Sequence, residues 1–366
     1  MTTTHDMALG PGVTMSGYPG WRLYESADDG RIAVMGKRGR EGTEWLHVPV
    51  AELVDKRALP RAVGVIPGGA DPRVRVEARS DFERANRAAL EGARVLVYEA
   101  GEQPGRGMSS KYVGADLDVP DKVRPQAKAV LEQLDWMRDR LGRVGVDDAG
   151  AAVKLRLGDR RMGAFASWHP TMAELAFPEV SNPAGAPWTA PSIIAHELAG
   201  HGLLAEVAPN GHRLETPLQN AEAFAVHEGF SDAMGYFRTG SAAHGAGPNR
   251  DGHRFLDDAV VTGANGARER MLVTADDVRA QFVTHGHVDP YLASGTISHP
   301  AWKLGSQVGR DKARDIFHGA LDHLGPDPAL RRLDFSSVGR ALRTSAAEHL
   351  SGTHLREATR LLAGIH

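Results

Sequence analysis

Short apolar runs rich in β-branched residues alternate with Gly, Pro and Asp over the first hundred residues of the chain. Runs of this kind, bounded by turn residues, predict β-strands. The strands are expected within 31–39, 44–53, 73–79 and 93–100. The Gly-rich stretch 101–121 is expected to be a loop, and 145–159 a turn followed by a further strand.

Apolar residues recur at helical spacing in one short segment before residue 100 and in much of the chain after residue 120. Residues 125–141 are expected to form a long helix, and a shorter helix is expected over 81–92, capped by Ser80 or Asp81. Beyond residue 190 the predicted elements are helical. These helices are expected over 191–207, 220–237, 299–309, 310–324, 335–350 and 354–364.

The order of the elements predicts an α+β fold with two lobes. A β-rich N-terminal lobe is expected over 21–190 and an α-helical lobe over 191–366, with residues 1–20 flexible. Ligand sites often lie where two lobes meet, so an active-site cleft is expected between them.

Composition and charge narrow the class of protein. The formal net charge is −3, and no long run of like charges is present. Neither a nucleic acid nor a membrane is therefore expected as a partner. The absence of cysteine excludes disulfides, thiolate metal sites and cysteine nucleophiles. The first residues lack the pattern of a secretory signal, so a cytoplasmic protein is expected, with non-classical export left open.

One apolar helix carries titratable side chains where a buried helix should have none. His196, Glu197 and His201 lie within the sequence HELAGH. Burying these groups without partners is costly, whereas a zinc ion accepts imidazole ligands and leaves one position open for water. Glu197 would then act as general base on that water. The alternative is a buried helix whose histidines only hydrogen-bond to their neighbours.

The two histidines are five residues apart rather than the usual four. Five residues of regular α-helix rotate by about 500°, so the two side chains would point about 140° apart. A one-residue π-bulge would bring them together, and such bulges favour functional sites. Gly200 offers the backbone freedom for it. If both histidines bind one metal ion, the sequence predicts a bulge near Gly200.

A second apolar helix supplies further acidic groups. Glu228 follows His201 by 27 residues (228 − 201) and shares a helix face with Asp232. Glu228 can complete a His-His-Glu zinc site, and Asp232 can accept a hydrogen bond from a ligand histidine. A solvated acidic edge is the alternative, which the apolar neighbours of this segment disfavour.

These segments resemble the ligand helices of the thermolysin-like and fungalysin-type zinc metallopeptidases, which are gluzincins. IIAHELAGHG is similar to their first ligand helix, and HEGFSDAMGYF to their NEAISD or GEGWSD segment. Weaker similarity extends over about residues 90–360 and includes MGAFASW, which resembles their NAFW strand. The extra residue in HELAGH is shared with the dipeptidyl peptidase III type.

The resemblance implies a thermolysin-like zincin fold and a zinc-dependent peptidase that acts on peptides or proteins. The positions that match the zinc ligands are His196, His201 and Glu228. Glu197 matches the general base, and Asp232 the residue that orients the first ligand histidine. Ala164 matches a strand residue whose backbone hydrogen-bonds to the substrate, which would bind as an added strand.

The chain departs from the family pattern at the groups expected to bind the oxyanion and the substrate. Tyr291 stands at the position of the family's oxyanion histidine, and His287 lies close enough to replace it if the loop shifts. Each is otherwise an ordinary loop residue. Gly163 replaces the asparagine of the NAFW strand. The family's oxyanion tyrosine has no clear counterpart, although His212 stands at the same distance from the second ligand.

The sequence therefore predicts a zinc metallopeptidase in which Glu197 activates a zinc-bound water. Two alternatives are kept: a catalytically degenerate zinc-binding relative that serves as a binding or structural module, and a specialised maturation hydrolase with one narrow substrate. The presence of Glu197 favours an active enzyme, because a structural zinc site needs no general base. Endopeptidase and aminopeptidase activity are both compatible with the sequence. No feature of the sequence indicates the oligomeric state.

Overall fold

The computed structural model describes the 366-residue chain in fifteen segments. They are 7–8, 21–25, 32–39, 42–49, 65–67, 84–85, 88–89, 91–103, 107–158, 166–169, 174–177, 189–211, 214–244, 253–262 and 267–366. The chain divides into two compact units. One contains Met1–Ala127 and Ala149–Val180, and the other contains Lys128–Asp148 and Ser181–His366. The lobe limits expected from the sequence, including a flexible 1–20, stay a prediction.

The first unit begins with an antiparallel meander in which each strand pairs with the next along the chain. Its strands are β1 (Met7–Ala8), β2 (Trp21–Glu25), β3 (Ile32–Gly39), β4 (Gly42–Pro49) and β5 (Val65–Pro67). The strands predicted within 31–39 and 44–53 are confirmed. The strand predicted within 73–79 lies outside the described residues.

The second sheet of this unit has the spatial order β7-β6-β8-β10-β9. Its strands are β6 (Val95–Gln103), β7 (Gly107–Ala115), β8 (Val153–Leu157), β9 (Ser167–His169) and β10 (Glu174–Phe177). Strand β8 runs parallel to both of its neighbours, and β6 forms an antiparallel hairpin with β7. One face is built from apolar side chains such as Val97, Leu155 and Leu175, all fully buried.

Two predictions for this region have different outcomes. The strands predicted within 93–100 and 145–159 are confirmed. The loop predicted over 101–121 is wrong, because most of that stretch continues β6 and forms β7. The ladder between these strands overrides the low strand preference of their Gly and Ser residues. Within the helix expected over 81–92, residues 84–85 and 88–89 are helical.

The second unit is mainly helical. Its helices, the first of which begins in the other unit, are α1 (Arg124–Leu141), α2 (Pro191–Ala195), α3 (Leu203–Val207), α4 (Pro217–Thr239), α5 (Ala275–His285), α6 (Pro290–Ala293), α7 (Gly295–Val308), α8 (Arg310–Gly319), α9 (Phe335–His349) and α10 (Gly352–Leu362). Short 3₁₀ turns occupy Ala320–Leu324 and Pro328–Leu330. All the helices predicted beyond residue 190 are present.

A small antiparallel sheet follows α4 in the chain. Its strands are β11 (Ala243–His244), β12 (His253–Phe255), β13 (Val260–Thr262) and β14 (Arg268–Arg270). No strand was predicted there, because two or three residues are too few to show an alternating pattern. The sheet matters for the site described below, since β12 carries a buried arginine.

Helix α4 is the central element of the second unit. Thr216 and Gln219 form a capping box at its start, and Gly240 ends it in a left-handed conformation. Its Phe230 and Phe237 are almost fully buried and both pack against Phe317 of α8. Burial of each such ring stabilises the fold by about 1.5–3 kcal/mol, which fixes α4 firmly in place. Among the described residues, no helix is long and apolar enough to cross a membrane.

Candidate metal centre

The helix that carries both histidines is locally wound as a π-helix. The π segment covers His196–Gly202 and joins α2 to α3 without a break. Because hydrogen bonds in a π-helix connect residues five apart, it brings positions i and i+5 to the same face. His196 Nε2 and His201 Nε2 accordingly lie 3.1 Å apart. The bulge predicted near Gly200 is confirmed.

Gly200 is needed for close packing as well as for the bulge. A Cβ atom at this position would lie 2.3 Å from Ser231 Oγ and 2.4 Å from Ser231 Cα. Real contacts of a Cβ atom are essentially never this short, so only glycine lets the π segment approach α4 so closely. This approach is what brings the side chains of α4 to the two histidines.

Glu228 of α4 completes a cluster with the two histidines. Its carboxylate oxygens lie 3.4 Å from His196 Nε2 and 3.6 Å from His201 Nε2. Each of the three residues offers one ligand atom, and these atoms all lie within 4.8 Å of one another. Among the described residues, His196, His201 and Glu228 thus form a candidate metal-binding triad.

The spacing of this triad fits a bound metal ion. Two ligand atoms at about 2.05 Å from a tetrahedral ion are about 3.3 Å apart. The two Nε2 atoms, 3.1 Å apart, lie close to this value, and the distances of 3.4 and 3.6 Å join them to the two different oxygens of Glu228. A triad of two imidazoles and one carboxylate leaves a fourth tetrahedral position open. The residues present therefore have the chemistry and the spacing of a set of metal ligands.

Glu197, the expected general base, lies on the π segment directly after His196 and is buried. Asp232, the expected orienting residue, lies one turn after Glu228 on α4 and is fully buried. Its Oδ1 lies 3.0 Å from His196 Nδ1. The contact with Asp232 at Nδ1 therefore orients the ring of His196 so that its Nε2 faces the other two residues of the triad.

The structure adds a group that the sequence did not suggest. Arg254 extends from β12 and is almost fully buried. Its Nε lies 2.6 Å from Asp232 Oδ2, and its Nη2 donates to Asp232 Oδ1 at 2.6 Å. Its Nη2 is also 3.7 Å from Glu228 Oε2. A lone arginine in a short strand carries no sequence pattern by which it could have been found.

Burial and the charges of the cluster shift the pKa values of its members in opposite directions. Burial opposes a charge on His196, yet hydrogen bonds to Asp232 and Glu228 outweigh it and raise its pKa to about 9. Burial lowers the pKa of His201 to about 3. Although burial acts against it, the hydrogen bond from His196 lowers the pKa of Glu228 to about 2. At neutral pH the triad thus carries one proton beyond those of two neutral imidazoles and a carboxylate, and that proton is on His196.

Tyr291 lies on α6, within the electrostatic reach of the cluster. The guanidinium of Arg254 lies 4.9 Å from the centre of its ring. Burial raises the pKa of its hydroxyl, and the negative charges of Glu228 and Glu197 raise it further. The adjacent Ser294 donates to the Tyr291 carbonyl oxygen at 2.9 Å and lies 3.4 Å from Asp232.

For the remaining residues predicted from the sequence, the described part of the chain shows no contact with the cluster. His287 is exposed, and its Nδ1 hydrogen-bonds to the backbone carbonyl oxygen of His285 at 3.1 Å. Its catalytic role stays a prediction. Ala164, Gly163 and His212 lie outside the described residues.

Comparison with known proteins finds a solved structure of similar fold and no relative by sequence. No protein-family model matches the sequence, and no curated protein matches it. Among solved structures, the precursor of protealysin, a metalloproteinase from Serratia proteamaculans, matches with a TM-score of 0.57 and 14% identity. The match covers 81% of this chain and 95% of that chain. The expected α+β, thermolysin-like fold is thereby confirmed: the chain has the fold of a metalloproteinase precursor and a candidate metal-binding triad.

Proposed function

We propose that this chain is a zinc-dependent peptidase of the thermolysin-like, gluzincin type. The observation that carries the proposal is the triad of His196, His201 and Glu228, together with the buried Glu197, which follows His196 in the sequence. Two imidazoles and one carboxylate are the ligands of a common class of catalytic zinc site. The extra residue of the HELAGH motif, shared with the dipeptidyl peptidase III type, is taken up by the π segment.

A zinc ion bound by the triad would lower the pKa of a water molecule and polarise the scissile carbonyl group. Glu197, which follows His196 in the sequence and is buried with it, is the residue we propose as the general base. It would take a proton from the attacking water and deliver it to the leaving amine. Asp232 would keep His196 in the tautomer whose Nε2 faces the ion.

Tyr291 is the group we propose for stabilising the oxyanion. A tyrosine hydroxyl is protonated at neutral pH, and here burial raises its pKa further, so it can donate a hydrogen bond. The guanidinium of Arg254 over its ring limits the movement of the side chain. A preorganised neutral donor of this kind stabilises the negative charge that develops on a tetrahedral intermediate.

A digest of a peptide library, analysed by mass spectrometry, tests the proposal. The wild-type protein should contain about one zinc ion per chain and cleave a defined set of peptides. Glu197→Gln keeps the size and hydrogen-bonding shape of the side chain, so it should retain zinc and lose cleavage. Cleavage at the wild-type rate by this variant would place the base elsewhere. A wild-type protein that binds zinc and cleaves nothing would instead favour a degenerate relative.

A further inference from the structure

The two ligand histidines have different partners at Nδ1, the ring nitrogen that does not face the triad. His196 Nδ1 faces a carboxylate, that of Asp232, at 3.0 Å. His201 Nδ1 instead lies 3.4 Å from Nδ1 of another imidazole, that of His227. The planes of these two rings are 20° apart, and their centres are separated by 5.6 Å.

The hydrogen-bonding roles at this contact follow from the position of the triad. His201 Nε2 faces His196 Nε2 and Glu228, so it is the nitrogen available to a metal ion. With Nε2 as the ligand atom, the ring proton of His201 must be on Nδ1, which becomes a donor. His227 Nδ1 then accepts through its lone pair, and the proton of His227 is on Nε2.

His227 directly precedes the ligand Glu228 in α4, so the backbone that positions Glu228 also positions His227 beside His201. The same turn of the helix therefore supplies both a ligand and the partner of a ligand. Partners of this kind fix the tautomer and the ring orientation of a ligand histidine, and losing them weakens metal binding about 10–100-fold.

We infer that His227 is a positioning residue that holds His201 for metal binding by accepting a hydrogen bond from its Nδ1. The inference rests on the proposed zinc site. It differs from simple ring packing between two histidines, because packing requires only the shape of the imidazole and not its acceptor nitrogen.

Two variants separate these roles. His227→Phe keeps an aromatic ring of similar size but has no acceptor nitrogen, whereas His227→Asn offers a carbonyl oxygen in a smaller side chain. The full chain is stripped of metal, and its zinc dissociation constant is measured by competition with a chromophoric chelator. The visible absorption of the cobalt-substituted proteins reports ligand geometry, and thermal unfolding of the metal-free proteins reports folding.

We expect His227→Phe to weaken zinc binding about 10–100-fold and to change the cobalt spectrum, with metal-free stability close to that of the wild type. His227→Asn should restore most of the affinity. Zinc binding by His227→Phe that equals the wild type overturns the inference, as does an Asn variant that binds as weakly as the Phe variant. A wild-type chain with no affinity for zinc would overturn the proposed function itself.

Discussion

Arg254 and Asp232 form an ion pair with two close contacts, one of them a hydrogen bond, and with almost no access to solvent. The two contacts are 2.6 Å each, and the side chains are 8% and 0% exposed. Asp232 also faces His196, so one carboxylate serves both a ligand histidine and the arginine. The buried negative charge depends on these two partners, because a buried charge without them is strongly destabilising.

We therefore expect Arg254→Met to destabilise the metal-free protein by up to about 3–5 kcal/mol, since it removes one of the two cationic partners of the buried Asp232 carboxylate and leaves only His196. Urea denaturation monitored by circular dichroism measures the decrease in the free energy of unfolding. Arg314→Met is the matched control, because Arg314 is equally buried but its partners Asp311 and Asp315 are 65% and 44% exposed and can be solvated by water. Its loss should be smaller.

The double variant Arg254→Met with Asp232→Asn sharpens this test. Removing both charges should recover part of the stability lost in Arg254→Met, because the uncompensated carboxylate is then gone. Strictly additive losses would show that the two residues do not stabilise each other. An Arg254→Met protein that unfolds at the wild-type urea concentration would contradict the importance of the pair.

The metal-binding cluster could be predicted from the sequence because its chemistry conflicts with its surroundings. His196, His201 and Glu228 stand in apolar helices, where titratable groups require a partner. The five-residue spacing even indicated the bulge, since a regular helix would have separated the histidines. Both predictions used only local geometry, which is the information that a single sequence carries best.

Other features depend on contacts between distant parts of the chain and were not predictable. Arg254 reaches Asp232 from a three-residue strand, 22 residues further along the chain. Strand β7 was expected to be a loop because its Gly and Ser residues favour turns, whereas pairing with β6 determines its conformation. In both cases the deciding partner lies outside the segment whose pattern carried the prediction.

The close contact between Gly200 and Ser231 leads to a second prediction. Gly200→Ala places a methyl group 2.3–2.5 Å from Ser231 atoms, including its backbone Cα, so α4 and the π segment must move apart. Overpacking of this kind costs about 1–3 kcal/mol. Because Glu228 moves with α4, zinc affinity should fall as well. Calorimetric unfolding and chelator competition measure the two effects.

Gly364→Ala is the control for this substitution. The atoms nearest to the added methyl group would lie 3.5–3.8 Å from it, an ordinary contact distance, so stability and zinc affinity should stay near wild type. If Gly200→Ala behaved in the same way, the close approach of α4 to the π segment would not be needed to form the triad.

The proton on His196 gives a third prediction. Its pKa of about 9 lies above neutrality, whereas the pKa values of His201 and Glu228, about 3 and about 2, lie far below it. A metal ion that takes His196 Nε2 at pH 7 must therefore displace one proton. Zinc affinity should rise about tenfold per pH unit between pH 6 and 8 and level off above the pKa of His196.

Titration calorimetry at pH 7 in buffers of different ionisation enthalpy counts the protons released. We expect about one proton per zinc ion for the wild type. Asp232→Asn removes a charge that raises the pKa of His196, so its release at pH 7 should be smaller. No proton release by the wild type would mean that His196 is already neutral at this pH.

The oxyanion group gives the last prediction, which compares Tyr291 with His287. Tyr291→Phe removes only the hydroxyl and keeps the ring that packs against Arg254. Loss of one oxyanion donor lowers kcat about 10²–10³-fold, and KM and zinc content should change little because no ligand is touched. His287→Ala should leave kcat close to wild type, because the imidazole of His287 hydrogen-bonds to the carbonyl oxygen of His285 and not to a residue of the triad. Steady-state kinetics on a peptide found in the library digest measure both variants. The opposite result, with activity retained in Tyr291→Phe and lost in His287→Ala, would transfer the role to His287 and require the segment before α6 to move towards the triad during catalysis.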